Sequence, residues 1–248
     1  MSEWLFDLGN TRLKCAPLQG DGSVGTVVAL AHGAPDFLQA LDQALPARAT
    51  SASLASVASP ALTLAVVEAL TTRFQRISLA RSVSRLAGVG IAYAEPARLG
   101  VDRFLALLAA HARGPRAWLV VGVGTALTLD LLAADGHHHG GRIAPSPALM
   151  RGALHAAAAQ LPEHDGNYRE FATDTTDALA SGCEGAALGL IERSLREGAD
   201  LLAQPPGLLL HGGGAAALHW YFPDAVEAPA LVLEGLGLWS RAGIAPAP

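Results

Sequence analysis

One short pattern occurs twice in this sequence: an apolar strand, a loop that contains glycine and threonine, and a returning strand. The first copy covers residues 4–18 and the second covers residues 118–132. An internal repeat of this kind is typical of two structurally related halves. We therefore predict two related lobes that face each other across a cleft, with both loop tips directing backbone N–H groups toward one ligand. Two unrelated hairpins are the alternative interpretation, because hairpins are common.

The segments between and after the two hairpins alternate between strand-like and helix-like patterns, as in α/β proteins. The helix that follows Asp102 ends near Gly114 and Pro115, so we predict one lobe at residues 1–113 and another at residues 114–248. Further strands are predicted at residues 24–30, 49–57, 77–79, 142–144 and 208–210. Further helices are predicted at residues 34–44, 61–74, 148–159 and 215–220, with one helix running to Leu195 and a closing helix from Glu234.

The composition indicates a folded protein that handles small molecules. The chain has 248 residues, of which 51% are apolar, so it can fill a large core. Its formal net charge of −5 gives no basic surface for nucleic acid or for an anionic membrane. Small metabolites or protein partners are therefore the expected ligands.

Cysteine usage and the N-terminal sequence favour a cytoplasmic protein. Cys15 and Cys183 lie far apart and lack the spacing of a metal site, which favours free thiols in a reducing compartment. The first residues contain no basic segment followed by an apolar one, so we expect no signal peptide. Glycine, proline or charged residues interrupt every apolar stretch before it reaches the length of a membrane span.

The loop of the first hairpin is a candidate phosphate site. Gly9, Asn10 and Thr11 can direct backbone N–H groups and a hydroxyl toward an anion, and Lys14 can add positive charge. Asp7 at the end of the strand is well placed for a hydrated Mg²⁺. The same residue types also build ordinary tight hairpins.

Residues 93–103 concentrate charge in a chain in which only 16% of the residues are charged. Gly100 allows backbone to approach a ligand, and Asp102 precedes an apolar helical stretch. A carboxylate near a helix start can accept backbone N–H bonds, so an N-cap aspartate with a neighbouring arginine is one interpretation of this segment. A catalytic segment is the other interpretation.

Three further patterns carry both a structural and a functional interpretation. The consecutive histidines at residues 137–139 favour a solvated hairpin turn over a metal site, because neighbouring side chains point in different directions. The three glycines at residues 212–214 follow a strand and offer a flat backbone surface for a base or a sugar. Residues 173–177 favour a simple helix cap, and His155 favours an ordinary half-buried position.

Several short motifs follow one another along almost the whole chain. They are Asp-x-Gly-Asn-Thr-x-x-Lys at residues 7–14, Gly-x-Asp-Arg at 100–103 with Tyr93 upstream, Gly-Thr-x-x-Thr at 124–128, Gly-Gly-x-Ile-x-Pro at 140–145, Thr175 with Ser-Gly at 181–182, the glycines at 212–214, and Leu-Glu-Gly-Leu at 233–236. In this order they resemble the type III pantothenate kinases, also called the Bvg accessory factor family.

The resemblance implies a fold and an activity. The fold is the one shared by acetate and sugar kinases, heat-shock ATPases and actin: two ribonuclease H-like lobes with a nucleotide cleft between them. The activity is ATP-dependent phosphorylation of pantothenate to 4′-phosphopantothenate, the first step of coenzyme A biosynthesis. The resemblance also implies a cytoplasmic homodimer whose partner helps to close the pantothenate pocket. We expect that packing at the glycines of residues 182–189.

The resemblance also implies roles for individual residues. Asp102 is the expected proton acceptor, and Mg²⁺ and ATP are the expected cofactors. ATP binding is expected from Asp7, Gly9, Asn10, Thr11, Lys14, Gly124, Thr125, Gly212, Gly213 and Gly214, and pantothenate binding from Tyr93, Gly100, Val101, Arg103 and Thr175. Arg103 can hold the substrate carboxylate with two hydrogen bonds.

The chain departs from the family at one position. Where many members carry an aspartate that binds a monovalent cation, this chain carries Gly122. We expect the cation site to be absent or rebuilt, with Asp130 as a possible substitute ligand, and we expect little dependence on K⁺. Two other hypotheses remain open at this point: a nucleotide-binding regulatory protein with reduced or no kinase activity, and a kinase or phosphatase for another small substrate.

Overall fold

The structure is a computed structural model that describes residues 2–242. The strands are β1 (Glu3–Leu8), β2 (Arg12–Leu18), β3 (Val28–Ala31), β4 (Ala49–Ser56), β5 (Phe74–Leu79), β6 (Arg85–Leu86), β7 (Val89–Gly90), β8 (Trp118–Val123), β9 (Ala126–Leu132), β10 (His138–Pro145), β11 (Gly207–His211) and β12 (Val226–Glu227). The helices are α1 (Phe37–Ala44), α2 (Pro60–Thr71), α3 (Val101–His111), α4 (Pro147–Ala157), α5 (Thr175–Leu202), α6 (Ala215–His219) and α7 (Leu231–Arg241), and Pro96–Arg98 forms a 3-10 turn.

The described residues divide into two compact units. The first comprises Met1–Pro115, Ala134–His138 and Ala230–Pro248, as far as these segments are described, and the second comprises Arg116–Ala133 and His139–Pro229. The chain therefore leaves the first unit after α3, returns to it for a short turn, and returns again for α7. The predicted lobes at residues 1–113 and 114–248 place the α7 segment in the second lobe; they stay a sequence-based prediction.

The first unit contains a five-stranded sheet in the order β3-β2-β1-β4-β5. Strands β1, β2 and β3 form an antiparallel meander, and β4 and β5 continue it in parallel with β1. Side chains on one face pack with α1 and α2 around Phe6, Leu54 and Leu70. Ser59 caps α2 by accepting a hydrogen bond from the Leu62 amide, and proline fills the first position of that helix.

Helices α3 and α7 pack closely against each other in the first unit. A β-carbon at Gly235 of α7 would lie 1.9 Å from the carbonyl oxygen of Leu105 in α3, so only glycine permits this approach. Arg113, which follows α3, forms an ion pair of 2.7 Å with Glu234. Helix α7 thus holds the helix whose first turn carries the Gly-x-Asp-Arg motif.

The second unit contains a sheet with the same topology, in the order β10-β9-β8-β11-β12. Strand β8 pairs antiparallel with β9 and parallel with β11, as β1 does with β2 and β4. All six residues of β8 are buried, and Val121, Leu129 and Ile191 lie in the core between this sheet and α5. The internal repeat predicted from the two hairpins is therefore confirmed, because the two sheets arrange their strands in the same order.

Most predicted elements are confirmed, but several boundaries are wrong by three residues or more. Helix α5 ends at Leu202 rather than at Leu195, and β5 begins at Phe74 rather than at residue 77. Helix α1 begins at Phe37 rather than at residue 34, and α2 ends at Thr71 rather than at residue 74. Strand β3 begins at Val28 because residue 24 forms only an isolated bridge with Leu18. Helix α7 begins at Leu231 rather than Glu234. Strand β10 begins at His138, which lengthens the strand predicted at residues 142–144. Among residues 2–242, no helix is long and apolar enough to cross a membrane.

Candidate functional site

The tip of the β1–β2 hairpin exposes the residues predicted to bind phosphate. The amide of Gly9 donates to the carbonyl oxygen of Arg12 at 3.0 Å, which closes the turn. Asn10 and Thr11 are exposed at the tip. His32, the residue after β3, has its Nε2 3.1 Å from the carbonyl oxygen of Gly9 and so stabilises the turn. The sequence analysis did not identify His32, because this contact links residues 23 positions apart.

Asp7 lies beside the hairpin in an environment that disfavours its negative charge. It is half-buried and pairs with Lys14 across the β1–β2 ladder. Burial raises its pKa to about 7, the nearby Asp102 carboxylate adds to the increase, and Lys14 opposes it. Asp7 and Asp102, which the family resemblance assigns to one reaction, therefore lie close enough for their charges to interact.

The Gly-x-Asp-Arg motif forms the start of α3. Gly100 is the N-cap residue, Val101 is the first residue of the helix, and Asp102 lies in the first turn. Interpretation of Asp102 as the N-cap is therefore wrong by two positions, although its carboxylate does accept a helix-start amide: Arg103 N donates to Oδ1 at 2.8 Å. A β-carbon at Gly100 would lie 2.6 Å from the same Oδ1, so glycine leaves room for the carboxylate.

Arg103 is a buried arginine, with 6% of its surface exposed. Its Nη1 donates to the hydroxyl of Tyr93 at 3.3 Å, and its guanidinium lies 6.0 Å from the centre of the Tyr93 ring. Burying a guanidinium is costly unless its donors are bonded, so this position indicates a specific role for the side chain. Tyr93, Gly100, Asp102 and Arg103 are thus brought together in the first unit.

His138 joins this group and was missed by the sequence analysis. The prediction of a solvated histidine turn is wrong for this residue, which is fully buried, whereas His137 and His139 are exposed. Alternating exposure follows from the extended backbone, because successive side chains point to opposite faces. The His138 ring is nearly parallel to the Tyr93 ring, with 6.2 Å between their centres.

The acidic residues of the first unit fit a divalent cation that also binds phosphate and water. Within residues 2–242, no group of three or more His, Cys, Asp or Glu side chains is arranged to hold a metal ion. Mg²⁺ in phosphoryl-transfer sites usually has only one or two carboxylate ligands, with phosphate and water oxygens completing its shell. Asp7 meets this requirement, since a nearby cation would stabilise the charge that burial and Asp102 disfavour.

In the second unit, the β8–β9 hairpin carries Gly124 and Thr125 at its tip. The Gly124 amide donates to the carbonyl oxygen of Ala126 at 2.9 Å, and Thr125 is exposed. The tip repeats the arrangement at Gly9, where the first amide of the turn is also used to close it. Thr125 is therefore accessible to a ligand at this tip.

Gly122 lies in the middle of its sheet, with Thr128 of β9 and His211 of β11 as its neighbours. A β-carbon at Gly122 would lie 2.7 Å from Thr128 Oγ1 and 2.9 Å from His211 Nε2. Both side chains therefore occupy the space that a larger residue at 122 would need. An aspartate here would have to displace the Thr128 hydroxyl or the imidazole. The expected absence or rebuilding of the monovalent-cation site stays a prediction.

Asp130, the possible substitute ligand, is a buried residue of β9 with 2% of its surface exposed. It lies two residues after Thr128, so the two side chains project from the same face of the strand. Its assignment as a metal ligand stays a prediction.

The glycines at residues 212–214 differ from one another in their surroundings. Gly212 has a φ of +95°, and a β-carbon there would lie 2.4 Å from the carbonyl oxygen of Val123. A β-carbon at Gly214 would lie 2.7 Å from Cγ1 of the same valine. Gly213 is exposed, and a β-carbon there would meet no atom within 4 Å. Close packing against Val123, through its backbone at Gly212 and its side chain at Gly214, thus explains two of the glycines, and Gly213 is the accessible one.

Thr175 is exposed in the first position of α5. The preceding residue, Asp174, caps the helix by accepting hydrogen bonds of 3.0 Å from the amides of Thr176 and Asp177. The predicted helix cap is confirmed. His155 is half-buried, as predicted, and its Nδ1 lies 2.6 Å from the carbonyl oxygen of Leu161.

Comparison with known proteins identifies the family. A family model described as type III pantothenate kinase matches residues 4–197. The chain is also 58% identical over 240 residues to a type III pantothenate kinase of Stenotrophomonas maltophilia strain K279a, with 97% of this chain and 98% of the relative covered. The chain belongs to the type III pantothenate kinase family. A type III pantothenate kinase of Xanthomonas euvesicatoria pv. vesicatoria is 56% identical over 246 residues, covering 99% of this kinase and 100% of the relative.

Solved structures show that this kinase shares its fold with actin-like ATPases and sugar kinases. A protein described as a Baf family transcriptional activator from Campylobacter jejuni aligns with a TM-score of 0.65 at 19% identity, covering 96% of this chain and 98% of its own. A protein described as a 2-dehydro-3-deoxygalactonokinase from Sinorhizobium meliloti aligns with a TM-score of 0.56 at 16% identity, covering 97% and 98%. An archaeal actin homologue aligns with a TM-score of 0.50 at 12% identity, covering 99% and 100%. The predicted fold class is confirmed.

Proposed function

We propose that this kinase transfers the γ-phosphoryl group of ATP to the primary hydroxyl of pantothenate. The product is 4′-phosphopantothenate, and the reaction is the first step of coenzyme A biosynthesis. Membership of the type III pantothenate kinase family supports this activity. The single structural observation in its favour is Asp102: its carboxylate is held at the start of α3 by the Arg103 amide and lies near the carboxylate of Asp7.

Asp102 is the proposed proton acceptor for the pantothenate hydroxyl. Phosphoryl transfer depends on positioning and charge neutralisation more than on covalent participation of the protein. A carboxylate fixed at a helix start is oriented before the substrate arrives. Asp102 takes the hydroxyl proton as the oxygen attacks phosphorus, and the bond from phosphorus to the bridging oxygen of the leaving ADP breaks.

Arg103, Tyr93, Gly100 and Val101 are the proposed pantothenate-binding residues. The guanidinium of Arg103 is already oriented by the Tyr93 hydroxyl, and its planar donors match a carboxylate in a bidentate geometry. Thr175, exposed at the start of α5, is proposed to contribute its hydroxyl to the same substrate. A lysine in place of Arg103 could not reproduce this geometry.

The proposed nucleotide-binding residues come from both hairpin tips and from the glycine segment. Asn10, Thr11, Lys14 and Thr125 supply hydroxyl, amide and ammonium donors for phosphates. Asp7 is proposed to hold Mg²⁺, which supplies positive charge to the phosphate oxygens when bound. Gly213 offers exposed backbone to the nucleoside, since it is the accessible member of its segment.

We also propose that this kinase works as a homodimer in the cytoplasm. Helices α4 and α5 border an apolar groove of about 610 Å³, lined by residues that include Leu149, Leu154 and Cys183. Leu149 and Leu154 are 44% and 43% exposed, and a β-carbon at Gly182 would meet no atom within 4 Å. A second protomer would cover this apolar surface. The two cysteines are free and buried, which supports the proposed cytoplasmic location because the cytoplasm is a reducing compartment.

A panel of small hydroxyl-containing acids and sugars, each incubated with Mg²⁺ and ATP, tests the proposed substrate. ADP release coupled to an ATP-regeneration assay measures turnover. Pantothenate should give the highest kcat/KM of the panel. Faster turnover of a sugar would identify a different kinase, and ATP binding without turnover of any substrate would favour a regulatory protein.

A further inference from the structure

We propose that His138 is a positioning residue for the pantothenate site: its ring holds Tyr93, and through Tyr93 it orients Arg103. The inference rests on the proposed function for its kinetic consequences, because Tyr93 and Arg103 are the proposed pantothenate-binding residues. Its structural basis is independent of that function. His138 is fully buried, and its ring lies nearly parallel to that of Tyr93, with an angle of 9° between the planes.

Tyr93 needs such a support because its own backbone is irregular. Residues 91–95 belong to no helix or strand, so tertiary contacts must determine where the side chain points. The amide of Ala92, the residue before Tyr93, donates to Nδ1 of His138 at 3.4 Å. His138 thus contacts both the backbone next to Tyr93 and the Tyr93 ring.

His138 is itself held by a tightly packed turn. The Gly90 amide donates to the carbonyl oxygen of Gly136 at 3.0 Å, and Gly90 forms a bridge with His137. Gly136 has a φ of +86°, and a β-carbon there would lie 2.2 Å from the carbonyl oxygen of Gly88. Close backbone contact therefore fixes the turn that precedes His138, and the imidazole becomes a rigid surface for Tyr93.

Tyr93 in turn orients Arg103. Its guanidinium donates to the Tyr93 hydroxyl at 3.3 Å, so a displaced Tyr93 would leave a buried guanidinium with a changed orientation. A displacement of about 1 Å at a substrate-binding group can cost up to about 100-fold in rate or affinity. His138 would therefore determine the affinity for pantothenate without touching it.

The neighbouring histidines provide matched controls for the test. His137→Ala and His139→Ala remove the exposed imidazoles on either side of His138. His138→Ala removes both the ring and the acceptor, His138→Phe retains a buried ring, and His138→Asn retains a polar acceptor. If the ring positions Tyr93, the Phe variant should resemble the wild type more closely than the Asn variant, which should resemble the Ala variant.

Steady-state kinetics measure the effect on substrate binding. We expect His138→Ala to raise KM for pantothenate about tenfold, with KM for ATP within about twofold of the wild type. His137→Ala and His139→Ala should leave both KM values within about twofold. In a Tyr93→Ala background, His138→Ala should have little further effect, because the side chain on which it acts is gone. An equal increase in that background, or an unchanged KM for pantothenate in His138→Ala, would overturn the proposal.

Fluorotyrosine labelling gives a readout that needs no catalytic activity. The chain contains three tyrosines, so its ¹⁹F spectrum contains three ring signals, and Tyr93→Phe assigns one of them. That signal should shift or broaden in His138→Ala and stay unchanged in His137→Ala. A Tyr93 signal that does not respond to His138→Ala contradicts the positioning role even if pantothenate is not the substrate. Failure of the proposed function would instead appear as a wild-type protein without pantothenate turnover.

Discussion

Gly122 occupies in the second sheet the position that Asp7 occupies in the first. Gly122 is the second-to-last residue of β8, and Asp7 is the second-to-last residue of β1; these strands are the central strands of their sheets. Asp7 is flanked by Lys14 and Ala55 on the adjacent strands, whereas Gly122 is flanked by Thr128 and His211. One half therefore presents a carboxylate at this position, and the other half presents an imidazole and a hydroxyl that fill the space left by the glycine.

This difference predicts little dependence on potassium. A site without a carboxylate, occupied by His211 and Thr128, has no strong oxygen ligand at position 122 for a monovalent cation. Replacing K⁺ by Na⁺ or by a bulky organic cation at constant ionic strength should change kcat by less than about twofold. Initial rates with saturating ATP and pantothenate measure this. A rate that collapses without K⁺ would show that the site has been rebuilt, for example with Asp130.

The raised pKa of Asp7 predicts that stability decreases as the pH rises. The folded protein keeps its proton on Asp7 up to about pH 7, whereas the unfolded chain releases it near pH 4. Between these values the folded state binds more protons, so the free energy of unfolding falls as the pH increases. Between pH 5 and pH 8 the decrease in the free energy of unfolding is on the order of 3 kcal/mol.

Urea unfolding in the presence of a chelator, at pH 5 and pH 8, measures this decrease. The Asp7→Asn variant cannot titrate at this position, so its stability should decrease less than that of the wild type over the same interval. Added Mg²⁺ should raise the stability of the wild type at pH 8 more than that of the variant. Equal pH slopes for the two proteins would contradict the assigned pKa.

The contact between Gly235 and Leu105 predicts a large effect of one added methyl group. Gly235→Ala places a β-carbon against backbone, which side-chain rotation cannot relieve, and should destabilise the protein by about 1–3 kcal/mol. Gly152→Ala is the matched control: Gly152 is also in a helix, α4, but its β-carbon would make only an ordinary contact of 3.6 Å with a side-chain oxygen of Glu163. The control should be stabilised by about 0.5–1 kcal/mol. Similar midpoints for the two variants in urea would show that the α3–α7 contact is looser than described.

Local signals explain why much of the fold could be predicted. Short apolar stretches on either side of a glycine-containing loop identified β1 and β2, and the helix predicted from residue 61 begins one residue earlier, at Pro60. Asp174 was recognisable as a cap because it directly precedes the amides that it accepts. In each case the decisive interaction joins residues that are close in sequence, so the pattern and the structure contain the same information.

Long-range contacts explain what could not be predicted. The burial of His138 depends on Tyr93 and Ala92, and the latter is 46 residues away. The crowding at Gly122 arises from His211 on a parallel strand that only the folded sheet brings alongside. One interpretation placed Asp102 at the N-cap because aspartate is a common cap, but Gly100 occupies that position and leaves the carboxylate in the first turn.

Asp102 is the proposed proton acceptor of the reaction, and replacing it with asparagine tests that role directly. Asparagine keeps the shape of the side chain but cannot accept the hydroxyl proton, so kcat should fall by about 10²–10⁴-fold, while the melting temperature stays close to that of the wild type. Glu95→Gln, which changes an exposed acid of the same segment, should have little effect.

The measurement is formation of 4′-phosphopantothenate from pantothenate, ATP and Mg²⁺, followed by ³¹P NMR for the wild type and Asp102→Asn. We predict product that accumulates with the wild type and Glu95→Gln and is nearly absent with Asp102→Asn. A wild type that forms no product, or an Asp102→Asn variant as active as the wild type, would contradict the account.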